Sequence, residues 1–215
     1  MPSKYVLRDF QKNNYYHVVN YGINKGQIFV DEEDYKAFLY YIKVYLLPKS
    51  ELEAKMPKLE KRLLSKNRSS EVEIIGYSLM PNHFHMLLKE VEVGGISRFM
   101  KQLSNAYTKY FNERHTRSGS LFEGPFKAVN VPDGKLAEVV RYIHLNAFLG
   151  GLVDDPEKYR WSDFPTYTNS EAVNISNTKL IISRFNTPAD YKHFVHNYMD
   201  YAEKVKTLGD ILIDD

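Results

Sequence analysis

Cysteine is absent from the chain. That excludes disulfides, thiolate nucleophiles and thiolate metal sites, so any metal must be held by histidine, amide or carboxylate groups. No apolar run approaches the length needed to cross a bilayer. The polar stretch 1–14 lacks the apolar segment of a secretory signal. A soluble, cytoplasmic protein without a membrane partner is therefore expected. An excess of one charge sign is missing too. Lys and Arg number 29 against 27 Asp and Glu, a net charge of +2, so overall charge does not announce a polyanionic partner. Tryptophan occurs once and tyrosine 17 times. Such abundance marks no single tyrosine as a nucleophile, because most tyrosines pack structurally.

What is present is locally uneven. Between 94 and 130 the positives Arg98, Lys101, Lys109, Arg114, Arg117 and Lys127 meet only Glu113 and Glu123. A basic stretch suits a phosphate backbone, although on charge alone a solvated helix face with no ligand is the favoured reading. Length and hydrophobic content, 215 residues and 43%, fit one domain with a small appendage. Residues 15–21 are aromatic and β-branched and read as a strand. Apolar spacing predicts a helix from Asp31 to Leu47, stopped near Pro48. A charged helical insert follows at about 49–70. Strands are predicted at 71–79 and 83–89, around a tight Met80-Pro81-Asn82 connection. A helix from Ser97 to Arg114, a strand at 126–131 and a helix from Asp133 to Phe148 complete the series. Asp133 is the expected N-cap and Gly150-Gly151 the stop. The order is that of a split βαβ unit: an α+β, ferredoxin-like (RRM-like) sheet of four antiparallel strands, with helices on one face. A last helix is expected from about Pro188 to Lys206, in a helical C-terminal appendage.

Two patterns carry chemistry. In Pro81-Asn82-His83-Phe84-His85-Met86, strand alternation points His83 and His85 to one side and Phe84 and Met86 to the other, into the core. Two imidazoles on one face of a strand form a bidentate site for a divalent ion. Two surface histidines on a half-buried strand are the plainer reading of the same pattern. In Arg141-Tyr142-Ile143-His144-Leu145-Asn146, Tyr142 and Asn146 share a helix face one turn apart, with Glu138 one turn earlier. The amide oxygen can coordinate a metal and the phenol can lie beside the phosphate it polarises. A core tyrosine fits the spacing as well. His144 falls on another face, where packing or hydrogen bonding suits it better than ligation. His17 could approach the histidine pair, but a satisfied, half-buried histidine is the simpler expectation.

Pro81-Asn82-His83-Phe84-His85 resembles the His-hydrophobic-His motif of the HUH endonuclease superfamily, in the branch of REP-associated tyrosine transposases. Further segments resemble that branch in order: Gly76 to His85; Tyr107 to Asn112 with Gly119 to Gly124; Arg141 to Asn146; and Gly151, Leu152, Val153, Pro156, Tyr159, Arg160, Trp161 and Ser162. The resemblance covers about residues 15–165. It implies His83, His85 and Asn146 as ligands of Mg²⁺ or Mn²⁺, Tyr142 as the nucleophile, and single-stranded or hairpin DNA as substrate. Attack by Tyr142 would give a 5′-phosphotyrosine and a free 3′-hydroxyl, conserving the energy needed for rejoining. Arg98, Lys101, Arg114, Arg117, Lys127 and Arg141 are the candidate phosphate contacts. Both dimers and monomers occur among such enzymes, so a homodimer is one expectation, and association with the nucleoid another. The expected division is a catalytic domain at 1–165 and a helical extension at 166–215. Two positions depart from the pattern: Ala147 replaces a common proline, and Pro125 replaces a common arginine and so removes a DNA contact. A domesticated hairpin-DNA-binding protein of the same fold, and an unrelated metal phosphodiesterase that uses water, are the competing readings.

Overall fold

The computed structural model describes residues 9–168 and 175–199. Its strands are β1 (Tyr15–Tyr21), β2 (Val72–Met80), β3 (His83–Glu90) and β4 (Lys127–Val131). Its helices are α1 (Glu32–Leu46), α2 (Lys49–Lys55), α3 (Lys61–Leu64), α4 (Gly95–Arg114), α5 (Leu136–Leu149), α6 (Phe164–Thr168), α7 (Lys179–Ile182) and α8 (Pro188–His196). The strands pair antiparallel in the order β2-β3-β1-β4, the ferredoxin-like arrangement expected from the sequence. The insert forms α2 and α3, and the end of the last expected helix lies outside the described residues.

Alternation along the strands gives the sheet two apolar faces. Val18, Phe84, Met86, Leu88, Ile74 and Leu79 pack with Phe38 and Ile42 of α1 and with Phe99, Leu103, Tyr107 and Phe111 of α4. Ile75, Leu87 and Val131 instead pack with Val139, Val140 and Ile143 of α5, and with Phe164, Tyr167, Ile181, Tyr191 and Val195 from α6 to α8. Helices thus cover both faces, not one. The reason is that α5 also has apolar residues for the sheet, and the face opposite α1 and α4 is where they are buried. Gly76 lets α5 come close: a Cβ there would lie 3.4 Å from Val140 Cγ1.

The start of α5 also differs from expectation. Asp133 to Lys135 form one 3₁₀ turn and the helix begins at Leu136, without a side-chain cap. The Asp133 carboxylate accepts instead from Arg184, at 2.9 Å. The helix α1 starts as read, with Asp31 accepting from the backbone N–H groups of Glu33 and Asp34. The N-terminus of α4 is capped from a strand: Glu90 accepts from Gly94, Gly95 (3.1 Å) and Ile96 (2.8 Å). No described helix is long and apolar enough to cross a membrane.

Candidate active site

The register of β1 and β3 builds the site. His17 pairs with Leu87, Val19 with His85 and Tyr21 with His83. Cross-strand partners point to the same side of a sheet. His17, Tyr21, His83 and His85 therefore share the face that α5 covers. The His83 and His85 rings lie 4.9 Å apart, and Tyr21 stacks on His83 at 5.0 Å.

His85 is fully buried and its Nδ1 is 3.0 Å from Nε2 of His17, also fully buried. His17 therefore belongs to the site, beyond the role of a satisfied, half-buried histidine that its sequence context suggests. What sequence reading lacked was the register, which alone places it diagonally across from His85. Burial pushes the pKa of His83 down to about 4, with Lys25 adding to the effect. Burial, then the neighbouring His83 and His17, pushes His85 well below the usual imidazole range. Both rings are neutral near pH 7. His83 Nδ1 lies 2.7 Å from Asn82 Oδ1. A carboxamide oxygen only accepts, so Nδ1 carries the proton and Nε2 presents its lone pair.

From the other side α5 delivers Tyr142. Its ring meets His85 edge-on at 5.8 Å and His17 at 6.1 Å. The phenol oxygen is buried and has no hydrogen-bond partner among the described residues. A buried hydroxyl without a partner costs free energy, so such a group calls for an explanation. Asn146, one turn further, is buried and donates its Nδ2 to the Tyr142 carbonyl at 3.3 Å. That bond leaves its Oδ1 as the atom available to a ligand. Two neutral imidazoles and an amide oxygen are a donor set that fits a divalent ion of borderline hardness.

The six candidate phosphate contacts do not converge. Lys127 lies beside the site, its ammonium 5.4 Å from the centre of the Tyr21 ring that stacks on His83. Arg98, Lys101 and Arg114 are on α4, over the opposite face of the sheet. Arg98 binds Glu71 at 2.6 Å, and Arg114 binds Asp31 and Asp34, each at 2.7 Å. Arg117 donates to the Ser120 carbonyl and lies over Phe111. Arg141 is buried between Phe194 and Tyr198, its guanidinium 4.1 and 3.5 Å from their ring centres. Charge in the sequence cannot distinguish these cases, because the partners come from distant elements. Asp155, Glu157 and His196 also gather donor atoms within 4.8 Å of one another. There the Lys192 ammonium already sits 2.6 Å from Glu157.

The chain belongs to the IS200-like transposase family, whose model matches residues 10–146. In fold it is similar to a REP-associated tyrosine transposase bound to a REP hairpin, at a TM-score of 0.51 and 16% identity, over 79% of this chain and 88% of that one. A putative transposase from Deinococcus radiodurans R1 aligns at 15% identity and a TM-score of 0.37, over 66% of this chain and 95% of that one. No curated protein matches the chain in sequence.

Proposed function

We propose that this chain is a metal-dependent, single-tyrosine strand transferase acting on single-stranded or hairpin DNA, with Tyr142 as nucleophile and His83, His85 and Asn146 as metal ligands. The observation that carries this reading is the Tyr142 side chain, half-buried beside His85 and His17 with its buried oxygen unpartnered among the described residues. A core tyrosine of purely structural role would have its hydroxyl satisfied, as Tyr107 does on the Ile28 carbonyl at 2.5 Å. Family membership and the fold shared with a hairpin-bound relative support DNA as the substrate.

The residues divide the work. Asn82 holds His83 in the tautomer that points Nε2 outward, and His17 orients His85 through its Nδ1. A divalent ion held by these ligands would withdraw charge from a non-bridging phosphate oxygen. Tyr142 then attacks the phosphorus. Its O–P bond forms as the bond from phosphorus to the 3′-oxygen breaks, the phenol proton passes to solvent, and the departing 3′-oxygen takes a proton from solvent to leave as a hydroxyl. The 5′-phosphotyrosine retains one phosphodiester's worth of energy, so a second 3′-hydroxyl can displace Tyr142 without ATP. Lys127, whose ammonium lies 5.4 Å from the centre of the Tyr21 ring, is the residue assigned to a flanking phosphate in this reading.

The test is to incubate the protein with end-labelled hairpin DNA and Mn²⁺ and look for a denaturation-resistant adduct. An adduct lost in Tyr142→Phe supports the proposal. Cleavage that survives that change would identify a water-using phosphodiesterase. Binding without any cleavage would identify a hairpin-binding protein.

A further inference from the structure

Behind α5 lies a buried polar chain that the proposed chemistry does not use. Asp163, on the loop before α6, accepts from the Tyr77 backbone N–H of β2 at 2.8 Å and from Ser176 Oγ at 2.5 Å. The same carboxylate lies 2.9 Å from His144 Nε2, and His144 Nδ1 lies 2.8 Å from the Tyr191 hydroxyl of α8. A carboxylate can only accept, so Nε2 carries a proton and donates to it. In the neutral ring Nδ1 must then accept from Tyr191, whose phenol burial keeps protonated. All four side chains are buried: His144 and Tyr191 fully, Asp163 and Ser176 nearly so. The order Tyr-His-Asp resembles a proton relay, but its three groups are already bonded to one another and none of these bonds touches His83, His85 or Tyr142.

Its position gives it another use. His144 is two residues beyond Tyr142 on the same helix; its own bonds run to Tyr191 of α8 and to Asp163, and Asp163 in turn is bonded by β2 and by Ser176. Rings add to the grip: Phe164, Tyr167 and Tyr191 surround His144 at 5.1, 4.8 and 5.9 Å. Arg141, on the other flank of Tyr142, is clasped by Phe194 and Tyr198. Apolar packing resists separation of a helix from a sheet but tolerates small rotation and sliding. Directional bonds at a buried imidazole do not, since each one broken leaves an unsatisfied group in the interior. A turn of α5 by a few tens of degrees would carry the Tyr142 phenol off the histidines.

We infer that the segment 175–199 positions the nucleophile: Tyr191 and Ser176, acting through His144 and Asp163, lock the rotation of α5 and so hold Tyr142 against His85 and His17. These four are positioning residues, and the inference rests on the reading of Tyr142 as nucleophile.

The test uses the full chain with 3-fluorotyrosine placed at position 142, read by ¹⁹F NMR, alongside the rate of adduct formation at saturating hairpin DNA. Tyr191→Phe removes only the hydroxyl that faces His144, and Ser176→Ala removes one donor to Asp163 and serves if the first variant fails to fold. Tyr107→Phe deletes an equally buried hydroxyl on the other face of the sheet and controls for general loss of stability. The expected result is a shifted or broadened resonance and adduct formation at least tenfold slower in Tyr191→Phe, with DNA affinity within about twofold of wild type. Ser176→Ala should follow in the same direction and Tyr107→Phe should change neither readout. An unmoved resonance, or a moved one with the rate intact, overturns the inference. Absence of any adduct from the wild type defeats the strand-transferase reading instead, and the resonance still decides whether α8 positions Tyr142.

Discussion

A single side-chain bond, His83 Nδ1 to Asn82 Oδ1 at 2.7 Å, sets which nitrogen of His83 is offered outward. Orienting partners of this kind are worth roughly 10–100-fold in metal affinity. Asn82→Ala should therefore weaken Mn²⁺ binding by about tenfold in isothermal titration calorimetry, while His83→Ala should abolish it. Unchanged affinity in Asn82→Ala would show that the tautomer is set elsewhere. The cations separate in the same way. Lys127→Ala should weaken single-stranded DNA binding and reduce the slope of log affinity against log salt by about one. Arg141→Ala should leave that slope alone and cost on the order of 2 kcal/mol of stability in denaturant titration, because its guanidinium is buried between two rings. At this scale the pair His83 and His85 is legible from alternation, and Tyr142 with Asn146 from helical spacing. His17 is not, since its approach to His85 depends on a strand pairing 68 residues away in sequence.

Elements are seated by contacts at their ends. The helix α4 starts hard against the end of the loop before β2: a Cβ on Gly95 would lie 2.5 Å from the Glu71 carbonyl oxygen, which is backbone and cannot step aside. Gly95→Ala should cost roughly 1–3 kcal/mol in thermal or chemical unfolding; a neutral result would mean that the first turn of α4 shifts freely. Glu71 itself is clamped by Arg68 at 2.7 Å and Arg98 at 2.6 Å. Partial burial alone would raise its pKa, but the bonds from Arg68 and Arg98 hold it below the ordinary glutamate value. A carboxylate depressed in the folded state stabilises above its unfolded pKa and loses that contribution as pH falls through the folded value. The destabilisation caused by Arg98→Ala should thus be present at pH 7 and fade below about pH 4, as a plot of unfolding midpoint against pH would show. An effect that persists at pH 3 would assign Arg98 to packing and not to charge. The strands and α1 are legible in the sequence because their periodicities are clean. The start of α5 is not, because Arg184, remote in sequence, takes the Asp133 carboxylate that local reasoning assigns to a cap.

Across the whole molecule, two apolar clusters on opposite faces of one sheet hold the fold. Removing divalent ions with a chelator should accordingly abolish the covalent adduct and leave the far-UV circular dichroism spectrum in place; unfolding on chelation would make the metal structural. The sheet also separates the cations, with the α4 set over one face and the histidines, Lys127 and Tyr142 on the other. The sequence by itself determined the order of strands and helices, the face shared by His83 and His85, and the turn shared by Tyr142 and Asn146, because periodicity is a local property of a chain with fixed backbone geometry. Only the tertiary structure decided that α5 covers the face opposite α1 and α4, that His17 joins the site, and that Arg141 is enclosed by Phe194 of α8 and Tyr198 just after it. Those outcomes follow from which apolar surfaces meet across long separations, and no local pattern encodes that meeting.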